Sequence, residues 1–166
     1  MRFVLFFLAI ATLACSVEQK TDTAESGEPT QPAEVVQEST YNPELAAKYG
    51  ADNYGMRKYV MAFLKRGPNR PTDEKKSAQL QAAHMKNIGR MAEAGKLSLA
   101  GPFLNDGELR GIYIFNVETV EEAKALTETD PAIQHGSLVM ELVPWYGSAA
   151  LMGVNEVHKT LSKVEM

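Results

Sequence analysis

Two periods of apolar and polar residues alternate along this chain, and the switches between them mark its elements. RKYVMAFL (57–64) alternates residue by residue and is rich in β-formers, so it predicts a strand, which KRGPNRP then breaks. From Thr72-Asp73-Glu74, a helix-start signal, the period becomes helical and predicts a helix over 72–94 that stops at Gly95. LSLAGPF (97–103) returns to strand character, and Asn105-Asp106-Gly107 is a turn before a third strand, LRGIYIFNV (109–117). Thr119 and Glu122 stand three apart as a capping box, so a second helix runs to about Thr127. Asp130-Pro131 ends that region. SLVMELVPW (137–145) is the fourth strand, with Leu138, Met140 and Leu142 on one face.

The resulting order is β-α-β-β-α-β, a ferredoxin-like α+β fold with two helices on one face of a four-stranded antiparallel sheet. The other sheet face needs cover, and a second copy of the chain is the simplest source. A short helix opening at Asn42-Pro43-Glu44 and stopping by Gly50 precedes this unit. The segment from Leu151 to Val164 follows it and reads as a terminal helix suited to oligomer contact.

The N-terminus changes the picture of where such a domain works. MRFVLFFLAIATLAC has one Arg, an apolar run too short to span a bilayer, which takes about 20 residues, and then the only cysteine. It fits an export signal. Its end, Leu13-Ala14-Cys15, resembles the lipobox of bacterial lipoproteins, departing from it at Thr12, where an aliphatic residue is usual. That resemblance implies a signal peptide over 1–14 and a lipid on Cys15, placing the protein on a membrane of the cell envelope. With no second cysteine, intramolecular disulfides, CxxC redox chemistry and thiolate zinc sites are excluded.

Residues 15–40 then form an acidic tether poor in large apolar side chains, which cannot offset its ordering entropy. A flexible tether of about 25 residues reaches roughly 25–30 Å. The net charge of −4 arises here, because Glu18, Asp22, Glu25, Glu28, Glu34 and Glu38 face Lys20 alone, Arg2 adds one positive charge ahead of them, and acids and bases balance from Tyr41 onward. A neutral domain lacks the electrostatic footprint for nucleic acid. Small molecules and a second protein copy are the expected partners.

Candidate chemistry begins with His84. Leu80, His84, Asn87, Ile88 and Met91 share one broad face at about 100° per residue, so an imidazole that titrates near neutral pH sits on the apolar side. A core histidine bonded to a backbone carbonyl is one reading, and a proton-handling group is the other. Lys65-Arg66-Gly67-Pro68-Asn69-Arg70 is either a solvated strand–helix connection or a cationic loop in which Arg66 orients a carboxylate or phosphate. His135, just before the fourth strand, either lines the same cleft or is an exposed strand-start residue. His158 belongs to the terminal helix and is expected in solvent. The aromatics Tyr54, Tyr59, Tyr113, Phe115, Trp145 and Tyr146 read mostly as core or dimer-face residues. No GxGxxG, Walker, HxH or HExxH pattern occurs, so no nucleotide, other cofactor or metal is expected.

The span from Lys58 to Trp145 resembles a YCII-related domain. The resemblance rests on the opening strand, a helix with one His, LAGP (99–102) entering a hairpin, Asp130-Pro131 after the second helix, and a closing strand ending Val143-Pro144-Trp145. It implies a dimeric α+β barrel over 57–147, flanked by an N-terminal helical extension (41–56) and a C-terminal extension (148–166). It also implies a His84–Asp130 pair as the catalytic centre, in which a carboxylate sets the imidazole tautomer. The function expected is acid–base turnover of a small organic molecule, anionic ones included, by isomerisation, elimination or hydrolysis without a cofactor. The alternative is a non-catalytic binding or assembly module on a lipid anchor.

Overall fold

In the computed structural model, which describes residues 40–164, the RKYVMAFL alternation belongs to an eleven-residue strand β1, Met56–Arg66. It is longer than its sequence pattern predicts, because Lys65 and Arg66 stay in register with Val139 and Leu138, and the chain turns away only at Gly67. Ahead of it lies α1, Pro43–Tyr49, where the Asn42 side chain accepts from the Leu45 amide at 2.9 Å. The long helix α2, Glu74–Glu93, starts two residues later than expected because Asp73 is its cap, accepting from the Lys76 amide at 2.7 Å. Gly95 leaves the helix at φ 67°, a conformation that glycine adopts without strain.

β2, Leu97–Pro102, and β3, Leu109–Phe115, form the hairpin, and α3, Val120–Thr127, opens with the Thr119–Glu122 capping box. Asp130-Pro131 does more than end that region. Asp130 caps a further turn of helix, α4, Pro131–Gln134. β4, Leu138–Ser148, runs three residues past Trp145. Pro144 does not stop it, since β4 pairs with β1 alone and an edge strand tolerates a missing amide hydrogen.

The sheet order is β2-β3-β1-β4, antiparallel throughout, which is the ferredoxin-like α+β arrangement. Alternation along the strands sends Val60, Ala62 and Leu64 of β1, with Tyr113 and Phe115 of β3, into one core beside Met91 of α2 and Ala123 of α3. The opposite register sends Met61, Phe63, Ile112, Val139 and Val143 to the other face, where Val139 and Val143 remain 41% and 37% exposed. A short 3-10 helix, Ala149–Gly153, and α5, Val154–Leu161, follow β4. They dock on their own chain: Asn155 donates to the Leu97 carbonyl at 2.8 Å, and Lys48 of α1 pairs with Glu156 at 3.0 Å. His158 on α5 is exposed, as expected. Among the described residues, no helix is long and apolar enough to cross a membrane.

Candidate active site

The buried stripe of α2 is polar at two of its three fully buried positions, His84 and Asn87, and apolar at Met91. A buried polar group costs free energy unless it is bonded, and the partners come from the turn between α3 and α4. Asp130 has extended backbone, as a helix cap must, and its Oδ1 accepts from the Ala132 amide at 2.9 Å. The other oxygen, Oδ2, lies 2.7 Å from Nδ1 of His84. Asp130 is 0% exposed and His84 7%, so the contact is shielded from solvent. One turn further along α2, Arg90 Nη2 donates to Asn87 Oδ1 and to Thr129 Oγ1, each at 2.8 Å. Two successive residues, Thr129 and Asp130, are thereby anchored to one helix face.

The far side of the imidazole is also engaged. Tyr113 Oη lies 3.2 Å from Nε2 of His84, and the two rings are close to parallel, with centroids 6.1 Å apart. Burial, and secondarily the Asp130 carboxylate, push the Tyr113 phenol well above its ordinary pKa. It therefore keeps its proton at any physiological pH.

The two expectations that centred on α2 and its partner meet: His84 and Asp130 are in contact, and Asp130 makes its backbone turn bond at the same time. Arg66 lies elsewhere in the hydrogen-bond network. At the end of β1 its Nη2 donates to Asp106 Oδ1 at 2.6 Å in the β2–β3 turn, and Arg110 donates to the same oxygen at 2.8 Å. The two guanidiniums, Arg66 foremost, hold the Asp106 carboxyl below its usual range. His135 closes α4 at the end opposite Asp130, half-buried, and its Nδ1 is buried without a hydrogen-bond partner. Cys15 lies outside the described residues. Tyr113 was legible only as a core aromatic, because its place opposite Ala62 and Ala100 is set by strand register between segments distant in the chain.

Among the described residues, no three His, Cys, Asp or Glu side chains gather as a metal site would require. Two surface clefts lie away from the pair. One, of about 190 Å3, is lined by Leu97, Ser98, Met152 and Asn155, and the other, of about 290 Å3, by Asp52, Arg57, Glu118 and Tyr146.

One solved structure similar to the chain is the 5-chloro-2-hydroxyhydroquinone dehydrochlorinase of Burkholderia phenoliruptrix AC1100, in complex with 2,5-dihydroxybenzoquinone. It shares 19% identity at a TM-score of 0.41, over 52% of this chain and 92% of that one. No curated protein matches the chain. The family model described as the YCII-related domain matches residues 61–146, a span that holds His84, Tyr113 and Asp130 and more than half of the sequence, and the chain belongs to that family.

Proposed function

We propose that this protein is an acid–base enzyme acting on a small organic molecule, with His84 as the group that moves the proton. The buried 2.7 Å contact between His84 and Asp130 carries the reading. An ionised Asp130 requires a donor, so Nδ1 of His84 bears the proton and Nε2 is left as the basic nitrogen. Nε2 takes one proton from the ligand and returns it, while Asp130 balances the imidazolium that exists in between. General acid–base help of this kind accelerates reactions by roughly 10²–10⁴-fold, and isomerisation, elimination and hydrolysis all use it without a cofactor. Anionic ligands fit if Arg66 exchanges Asp106 for a ligand carboxylate. The unpartnered Nδ1 of His135 supplies a second polar contact. The protein acts as a homodimer, its two half-exposed sheet faces packed together, and the tether holds it to an envelope membrane through lipid on Cys15.

The test compares wild type with His84→Gln on a mixture of small organic acids, esters and lactones, followed by mass spectrometry. Compounds consumed by wild type and spared by a folded His84→Gln variant support the reading. Equal consumption by both proteins removes His84 from the chemistry. One observation favours the second reading, a tethered binding or assembly module: the pair is nearly closed to solvent, and the two clefts described lie elsewhere. A wild-type protein that consumes none of the mixture sustains that reading instead.

A further inference from the structure

Three groups stand in line: Asp130 from the cap of α4, His84 from α2, and Tyr113 from the middle of β3. Tyr113 pairs across the sheet with two small residues, Ala62 and Ala100, and its phenol reaches His84 on α2. Phe115 meets the ring edge-on, with centroids 5.6 Å apart and planes at 87°, which fixes its direction. Tyr113 is 2% exposed, so its hydroxyl has no bulk water to turn to.

Proton accounting then leaves one arrangement. The Asp130 carboxylate accepts from the Ala132 amide with one oxygen and needs a donor for the other, which is Nδ1–H. In a neutral imidazole the second nitrogen is then an acceptor. The only hydrogen-bond partner found for that nitrogen among the described residues is a phenol.

We propose that Tyr113 is a positioning residue whose hydroxyl donates to Nε2 of His84, holds the ring in the Nδ1–H tautomer and masks the basic nitrogen until a ligand displaces it. The inference rests on the acid–base reading of His84 and adds a condition to it. In the empty protein both imidazole nitrogens are occupied, so His84 becomes a base only when the ligand takes over the place of the Tyr113 hydroxyl. Basicity is withheld from solvent and released to the bound molecule.

The experiment is nitrogen-15 NMR of the histidine side chains in the mature full chain, held in detergent micelles at alkaline pH where the rings are neutral. Tyr113→Phe is compared with Tyr59→Phe, which removes another buried hydroxyl, one bonded to the Ser148 carbonyl at 3.0 Å. Expected is a His84 ring protonated at Nδ1, with an Nε2 line that moves toward the free-acceptor position in Tyr113→Phe and stays put in Tyr59→Phe. A second measurement needs no substitution: 3-fluorotyrosine labelling makes the phenol a stronger donor and shifts the same line in the opposite direction. An Nε2 line indifferent to the phenol, with Nδ1–H retained, sinks the masking role and leaves the His84–Asp130 pair standing. A wild-type ring protonated at Nε2 overturns both.

Discussion

One carboxylate, that of Asp130, holds two elements at once: Oδ1 accepts from the Ala132 amide that starts α4, and Oδ2 lies 2.7 Å from Nδ1 of His84 on α2. Removing it entirely exposes both losses. Asp130→Ala forfeits a helix cap, about 1 kcal/mol, and leaves a buried imidazole donor unpaired, a further ~1–3 kcal/mol. Urea unfolding is expected to read about 2–4 kcal/mol of destabilisation. Asp130→Asn keeps the cap oxygen and costs less, but it turns an amide NH2 toward Nδ1, so the imidazole proton is expected to move to Nε2. An Asp130→Ala variant as stable as wild type would contradict the paired arrangement.

Tyr113 sets a limit on the alkaline side. Its folded pKa is raised, first by burial and then by the Asp130 charge, while an unfolded tyrosine titrates near 10. Below about pH 10 the phenol is protonated in both states and contributes no pH dependence. Above it the unfolded chain releases a proton that the folded chain retains, so stability falls by as much as ~1.4 kcal/mol per pH unit. Denaturation midpoints taken from pH 9 upward are expected to fall less steeply in Tyr113→Phe than in wild type. Parallel curves would mean that the phenol is not held in its neutral form.

At Gly67 the chain leaves β1 against backbone. A Cβ there stands 2.2 Å from the Gly136 carbonyl oxygen and 2.7 Å from the Ser137 carbonyl carbon. Neither atom is the end of a flexible side chain, and the Gly67 and Asn69 amides are bonded to the Ser137 and Gly136 carbonyls across the same gap. Gly67→Ala is expected to cost at least ~1–3 kcal/mol, the range for overpacking a close contact. Thermal unfolding checks it, and a neutral result would show that the two loops are not docked this closely.

Val139 and Val143 are apolar, half-exposed and on the sheet face turned away from the helices. If two such faces cover each other, Val139→Lys with Val143→Lys places four lysines in one dry interface. Analytical ultracentrifugation is expected to show a dimer for wild type and a folded monomer for the double variant. Wild type sedimenting as a monomer at micromolar concentration would remove the dimer from the proposal.

The proposed lipid anchor is tested separately from the folded domain. Cys15→Ser is expected to move the protein from the membrane fraction to the soluble envelope fraction, because one cleaved signal without lipid leaves nothing to insert. A wild-type protein already found soluble would end the lipobox reading.

Local pattern was sufficient for most of the elements. Period-two and period-3.6 runs, Asn42, Gly95 and the Thr119–Glu122 box specify strands, helices and caps through forces that act within a turn or two. Where local signals misplaced an end, a partner strand was the cause. Lys65 and Arg66 read as loop but pair with β4, and the fourth strand runs on past Trp145 because Tyr146, Gly147 and Ser148 pair with β1. Arg66 illustrates the same limit in the candidate site, since its cationic loop looked free and its guanidinium is taken by Asp106, forty residues on and brought close by the hairpin.

By itself, then, the sequence determined which face of α2 is buried and that an imidazole lies on it, because helical periodicity is a property of consecutive residues. The resemblance to a family pointed to Asp130 as the partner of that imidazole. Only the tertiary structure decided that both imidazole nitrogens are engaged. That outcome depends on the strand register that sets Tyr113 within reach of α2, and on a turn between α3 and α4 carried to α2 by Arg90, Asn87 and Thr129. Contacts between residues distant in the chain are set by packing, which no local pattern records.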